Sequence, residues 1–133
     1  MAETRIPIHH ESDIVLARQE GRRMAEALGF SGADLTLIAT AISEITRNIV
    51  KYAGHGELWL WHEPALHGPG LVVQARDQGP GIPDLDLAMR DGYSTGKGLG
   101  LGLPGARRLM DDFNISSDPA NGTIVTLKKW RRP

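Results

Sequence analysis

Apolar residues at three- and four-residue intervals predict two helices in the first half of the chain. Ser12 or Asp13 can cap the first helix, and Gly29 is expected to end it. The second helix is expected to begin near residues 31–34 and to end at Tyr52. Its stripe of isoleucines should face the core.

A change to alternating polarity follows the second helix and predicts a hairpin. Residues 57–62 place leucines on one face of a strand and Trp59 and Trp61 on the other. Residues 67–70 form a glycine- and proline-containing turn, and 71–77 read as the returning strand. Together with Trp130, the two tryptophans either pack against neighbouring strands or a helix or, if exposed, mark a surface for a partner or a second copy.

The second half of the chain predicts a loop, a helix and another hairpin. Residues 78–102 are rich in glycine, with room for a short helix at about 84–91. A third helix is expected over 103–113. Residues 114–117 and 123–130 read as strands, and the Asn-Gly pair before the second of them favours a tight turn.

This order of elements lacks a regular alternation of strands and helices. It therefore predicts an α+β fold, a two-layer sandwich in which helices cover one face of a mixed, mostly antiparallel sheet. One domain spanning 1–133 is expected, with its core at about 12–130, since 133 residues can bury a substantial core.

Composition limits the classes of partner. The chain is 41% hydrophobic and has a net charge of -1, so no bulk attraction to nucleic acid or to a membrane is expected. It contains no cysteine, which excludes disulfides and thiolate metal sites. Without a segment that resembles a signal peptide or a membrane span, a cytoplasmic location is expected.

The predicted second helix carries a carboxylate and an amide on one face. Glu44 and Asn48 are four residues apart, which places their side chains about 6 Å from each other. The carboxylate could accept a proton from a hydroxyl, and the amide oxygen suits a hard cation such as Mg²⁺. Lys51, close by, could contact a phosphate. The alternative for all three is a solvated helix face.

An acidic residue also ends the strand before the glycine-rich loop. Asp77 is followed by Gly79 and Gly81, whose small size lets the backbone pass close to a ligand. A buried carboxylate there can accept a hydrogen bond from the amino group of adenine and would repel the oxo group of guanine. The alternative is a tight turn that the aspartate caps.

A second group of glycines precedes the third helix. Their backbone N–H groups, together with the positive end of the helix, could hold a chain of phosphates. The pattern is neither a P-loop nor a dinucleotide fingerprint. The residues expected at this phosphate site are Lys97, Gly98, Leu99, Gly100, Leu101 and Gly102.

The order of these motifs resembles the GHKL superfamily of ATP-binding domains, over nearly the whole chain. That resemblance implies that Glu44 accepts a proton, Asn48 binds Mg²⁺ and Asp77 binds adenine, with the Thr123 hydroxyl near the adenine contact. Gly79 and Gly81 then match the first glycine box, and Gly98, Gly100 and Gly102 match the second, beside the phosphates. The loop 82–97 is expected to act as a lid, because Gly92 and Gly96 permit hinge motion.

Four segments are similar to the RsbT-type switch serine/threonine kinases: TAISE at 40–44, DQGPGIP at 77–83, GLGLPG at 100–105 and RRLMDDF at 107–113. The resemblance implies phosphate transfer from Mg-ATP to STAS-domain proteins of a bacterial partner-switching stress pathway. It also implies possible activation of a PP2C-type phosphatase. The alternative is an anti-sigma factor of the related kinase family, which sequesters a sigma subunit. A monomer and a homodimer are both compatible with the sequence.

Overall fold

The described residues of the computed structural model form five strands and three helices; they are 3–64, 68–79, 102–118 and 120–132. In chain order the elements are β1 (Thr4–Ile8), α1 (Glu11–Ala27), α2 (Gly32–Tyr52), β2 (Gly56–Glu63), β3 (Gly70–Asp77), α3 (Gly102–Leu109), β4 (Asp112–Asp118) and β5 (Gly122–Trp130). The strands form one sheet in the order β1-β2-β3-β5-β4, and its four pairings are all antiparallel.

The three helices pack as a layer on one face of the sheet, as the predicted α+β sandwich requires. Alternate residues of the central strands, such as Leu58 and Leu60 in β2 and Val73 in β3, point to this layer and are fully buried. Helix α2 lies between α1, α3 and the sheet, and its isoleucine stripe is part of the core. No helix in the described part of the chain is both long enough and apolar enough to cross a membrane.

The closest approach of α1 and α2 depends on a glycine. A Cβ atom on Gly21 would collide with the end of the Ile42 side chain, which is fully buried. The two helices therefore pack close together at this point.

The predicted order of elements was wrong before the first helix, because it omitted β1. Residues 4–8 pair with β2, and Ile6 and Ile8 point into the core. The segment is short and contains Pro7, a residue type that is rare in strands, so its sequence does not indicate one. Proline is tolerated because β1 lies at the edge of the sheet.

The predicted extent of the third helix, 103–113, was also wrong. Helix α3 ends at Leu109, and Phe113 belongs to β4, where it packs against the core. The Lys129 ammonium, on β5, donates a hydrogen bond to the carbonyl oxygen of Leu109 at 3.0 Å. This contact satisfies a carbonyl group in the last turn of the helix, which has no partner within the helix itself.

Helix α1 begins at Glu11, just before the residues expected to cap it. Asp13 still serves the helix start, because its Oδ2 accepts hydrogen bonds from the backbone N–H groups of His9 at 2.8 Å and His10 at 3.0 Å. Both hydrogen bonds lower the pKa of Asp13, and the one from His9 has the larger effect.

Trp59 and Trp61 lie on the sheet face opposite the helices and are half-buried. The Arg76 guanidinium lies over the Trp59 ring, 4.7 Å from its centre. Trp130, on the same face, packs across Gly70, and its indole N–H donates a hydrogen bond to Asp112 at 3.1 Å. Lateral packing thus accounts for Trp59 and Trp130, while a partner surface on this face stays a prediction.

Candidate active site

The Glu44 carboxylate lies in the interior, where α2 meets the start of α3. The residue is 6% exposed, and its Oε1 accepts a hydrogen bond from the backbone N–H of Gly102 at 2.8 Å. Its Oε2 accepts a hydrogen bond from Nη1 of Arg47, one turn further along α2, at 2.6 Å. Both oxygens are therefore held, by two different parts of the chain.

Asn48 lies one turn after Glu44 on α2 and is also buried, with 8% of its surface exposed. Its side chain makes no hydrogen bond to any residue of the described ranges. Lys51 is exposed in the last turn of α2, and its ammonium lies 5.2 Å from the centre of the Tyr52 ring. The structure thus brings Glu44 and Asn48 together in the interior and leaves Lys51 at the surface.

Helix α2 is polar at this point without carrying unsatisfied hydroxyl groups. The Ser43 hydroxyl donates a hydrogen bond to the Ala39 carbonyl at 3.0 Å, and the Thr46 hydroxyl donates one to the Ile42 carbonyl at 2.7 Å. These bonds within the helix let both residues be buried.

A second buried carboxylate lies at the end of β3. Asp77 is 5% exposed, and its Oδ1 accepts the backbone N–H of Gly79 at 2.9 Å. Its Oδ2 has no hydrogen-bond partner in the described part of the chain. The predicted Asp-capped turn and a ligand contact are therefore compatible, because each uses a different oxygen.

Two hydroxyl groups lie in the same row of the sheet as Asp77. Thr123 pairs with Asp77 in the β3–β5 register and is 3% exposed. Its hydroxyl lies 2.7 Å from that of Ser117, the next residue in the same row, on β4. The predicted proximity of Thr123 and Asp77 is present. Ser117 was missed, although the alternation of β4 would have placed it on the inner face.

Two glycines bring the chain close together around Asp77. A Cβ atom on Gly79 would lie 2.6 Å from the Ala53 Cβ, so the segment after β3 passes directly beside the end of α2. Gly122 has φ +77°, and a Cβ there would collide with the Asp77 carbonyl oxygen. The Gly79 contact places the end of β3 next to the end of α2, the helix that carries Glu44 and Asn48, and the Gly122 contact places the start of β5 against Asp77.

The third predicted group is described only at its last member. Gly102 begins α3 with φ +70°, a conformation that favours glycine, and it donates its N–H to Glu44. The lid at 82–97 and the short helix at 84–91 lie outside the described residues. So do the remaining predicted site residues Gly81, Lys97, Gly98, Leu99, Gly100 and Leu101.

The donor and acceptor types fit a magnesium–nucleotide complex. A buried amide oxygen on Asn48 suits Mg²⁺, and the Asp77 Oδ2, which no described residue contacts by a hydrogen bond, suits an amino group. The N-terminal end of α3, which contacts Glu44, contributes positive potential on the α2 side of the site. The observed arrangement therefore provides both polar ends that such a ligand needs.

Comparison with known proteins identifies the family. Residues 33–133 match the family described as histidine kinase-, DNA gyrase B- and HSP90-like ATPases. The chain belongs to this ATPase family. The match includes α2, β3 and α3, and hence every described element of the site.

Relatives within the family confirm the resemblance to RsbT-type switch kinases. The chain is 49% identical over 127 residues to the serine/threonine-protein kinase RsbT of Bacillus subtilis, covering 96% of each chain. It is 33% identical over 101 residues to an anti-sigma F factor of Bacillus licheniformis, covering 72% of this chain and 69% of that protein.

A solved structure supports the fold alone. The crystal structure of the RsbU and RsbW domains of Rv1364c from Mycobacterium tuberculosis superimposes with a TM-score of 0.67 at 17% sequence identity. The superposition covers all of this chain and 34% of that longer chain. The predicted α+β sandwich of the GHKL type is confirmed.

Proposed function

We propose that this chain is a protein serine/threonine kinase that uses Mg-ATP in a bacterial partner-switching pathway. The observation that carries the proposal is that Glu44 and Asn48 are buried one turn apart on α2, the helix whose end contacts the segment after Asp77. The 49% identity to a serine/threonine-protein kinase over 96% of the chain supports it. Expected substrates are STAS-domain proteins, and a PP2C-type phosphatase is a further expected partner. A cytoplasmic location stays a prediction.

At the adenine end of the site, Asp77 selects the nucleotide. Its Oδ1 is engaged by the Gly79 N–H at 2.9 Å, so Oδ2 accepts the hydrogen bond from the adenine amino group. The hydroxyl pair of Ser117 and Thr123 lies in the same row of the sheet and supplies further polar contacts to the base.

At the phosphate end, Asn48 would hold Mg²⁺ through its amide oxygen, beside the N-terminal end of α3. Bound Mg-ATP supplies the transferable phosphoryl group and neutralises part of its charge. The oxygen of the substrate serine or threonine hydroxyl bonds to the γ-phosphorus of ATP, and the bond between that phosphorus and ADP breaks. Glu44 accepts the proton that the hydroxyl loses. Positioning and charge neutralisation therefore account for the acceleration.

Transfer of radiolabelled phosphate from Mg-ATP to purified STAS-domain proteins tests the proposal. Glu44→Gln should lower the transfer rate about 100- to 10,000-fold, the usual contribution of a general base. Asn48→Ala should abolish transfer and weaken Mg-ATP binding. Glu20→Gln is the matched control, because Glu20 also pairs with an arginine three residues later, on α1, and is 30% exposed.

The result that overturns the base assignment is full transfer by Glu44→Gln. Absence of any label on STAS-domain proteins, together with capture of a sigma subunit, would favour the second candidate function, an anti-sigma factor. That candidate is supported by the 33% identity to an anti-sigma F factor. A pull-down with purified sigma subunits, run beside the transfer assay, separates the two.

A further inference from the structure

The Glu44–Arg47 ion pair differs from the other ion pairs of the described residues in its burial. Its carboxylate side chain is only 5% exposed, whereas the carboxylates of the other pairs are 19% to 59% exposed. Exposed pairs contribute little to stability, because water screens them. A buried carboxylate, in contrast, depends on its partner, since losing that partner leaves a charge without compensation.

We propose that Arg47 is a positioning residue that acts through Glu44, and this inference rests on the proposed role of Glu44 as proton acceptor. The Gly102 N–H fixes Oε1 at 2.8 Å and the Arg47 guanidinium fixes Oε2 at 2.6 Å. Two hydrogen bonds from different directions hold the plane of the carboxylate in one orientation. A base held in this way needs no reorientation when the hydroxyl arrives.

The two oxygens of Glu44 are held by different kinds of donor. Oε1 is bound by a backbone N–H at the start of α3, so it cannot move without moving the helix. Oε2 is bound by a side chain that is 36% exposed. A carboxylate oxygen has two lone pairs, so Oε2 can keep Arg47 and still accept the substrate hydroxyl.

A double-mutant cycle in single-turnover phosphate transfer tests this role. The variants are Arg47→Met, Arg47→Lys, Glu44→Gln and the double variant Glu44→Gln/Arg47→Met, with the STAS-domain protein that the wild-type chain labels as acceptor. Arg47→Met should slow transfer about 10- to 100-fold, the loss expected when a reacting group is misplaced by about 1 Å. Its Kd for Mg-ATP should stay within about twofold, since Arg47 acts on the carboxylate rather than on the nucleotide.

The cycle separates action through Glu44 from independent action. In the Glu44→Gln background, Arg47→Met should have no further effect, because the group through which it acts has gone. Arg47→Lys should restore part of the rate, since it keeps the charge without the planar geometry of the guanidinium. Circular dichroism confirms folding, and Arg47→Lys serves as the working variant if Arg47→Met does not fold.

Arg23→Met is the matched control. Glu20 and Arg23 form a pair with the same residue types, order and spacing on α1, at 2.7 Å, but Glu20 is 30% exposed. This variant should transfer phosphate at the wild-type rate. Equal fold-losses from Arg47→Met in both backgrounds, or a large loss of Mg-ATP affinity, would overturn the positioning role alone. Full transfer by Glu44→Gln would overturn the proposed base and the positioning role together.

Discussion

Replacing Asp77 by asparagine changes one contact at the proposed adenine site and preserves the surrounding turn. Asparagine has the same size, and its Oδ1 can still accept the Gly79 N–H that Asp77 accepts at 2.9 Å. The other carboxylate oxygen becomes an amide NH₂ group. That donor would face the donor amino group of adenine, so the contact would be lost while the fold remains.

The size of the effect follows from the burial of the site. Asp77 is 5% exposed, so water cannot replace the missing hydrogen bond readily. A hydrogen bond to a charged group contributes about 1.5 to 3 kcal/mol. This corresponds to a loss of about 10- to 100-fold in affinity for Mg-ATP. Mg-GTP should bind the variant relatively better, since the new NH₂ group can donate to its oxo group.

Calorimetric titration of both nucleotides, with circular dichroism as the test of folding, measures the prediction. Asp111→Asn is the control, because Asp111 accepts the Trp130 N–H at 2.8 Å at the opposite end of the sheet. The control should bind Mg-ATP with wild-type affinity. An unchanged Kd for Mg-ATP in a folded Asp77→Asn variant would refute the adenine contact.

Three further predictions concern stability, each measured by urea unfolding. Gly122→Ala should destabilise the protein by more than about 1 kcal/mol, because a side chain at φ +77° is strained and would collide with the Asp77 carbonyl; an unchanged midpoint would contradict this. Lys129→Met should cost about 1 to 3 kcal/mol, because the Leu109 carbonyl loses its partner; a gain would show that apolar packing outweighs the hydrogen bond. The pKa of Asp13 is lowered from its ordinary value of 3.8, so its stabilising effect is present above about pH 4 and is lost as the pH falls. Asp13→Asn should therefore lower the unfolding midpoint at pH 7 and have less effect at pH 3. An equal loss at both pH values would show that the charge of Asp13 is not the cause.

The sequence predicted the main elements wherever local periodicity is strong. The isoleucine stripe of α2, the alternation of β2 and the glycine-marked turns all follow from the geometry of single helices and strands. The same periodicity placed Glu44 and Asn48 on one helical face, and the structure has them buried together. Spacing within one element is thus readable from sequence, because that element's own geometry sets it.

Contacts between distant segments were decided only by the tertiary structure. Residues 4–8 become a strand because β2 offers them a free edge, and Phe113 leaves the predicted helix because β5 pairs with β4. Arg47 and Gly102 bind the two oxygens of Glu44 together only because the start of α3 packs against α2. Tertiary packing decides which strands pair, which residues are buried and which donor binds the second oxygen of a carboxylate. Local sequence patterns do not show these contacts, because the residues involved are far apart in the chain.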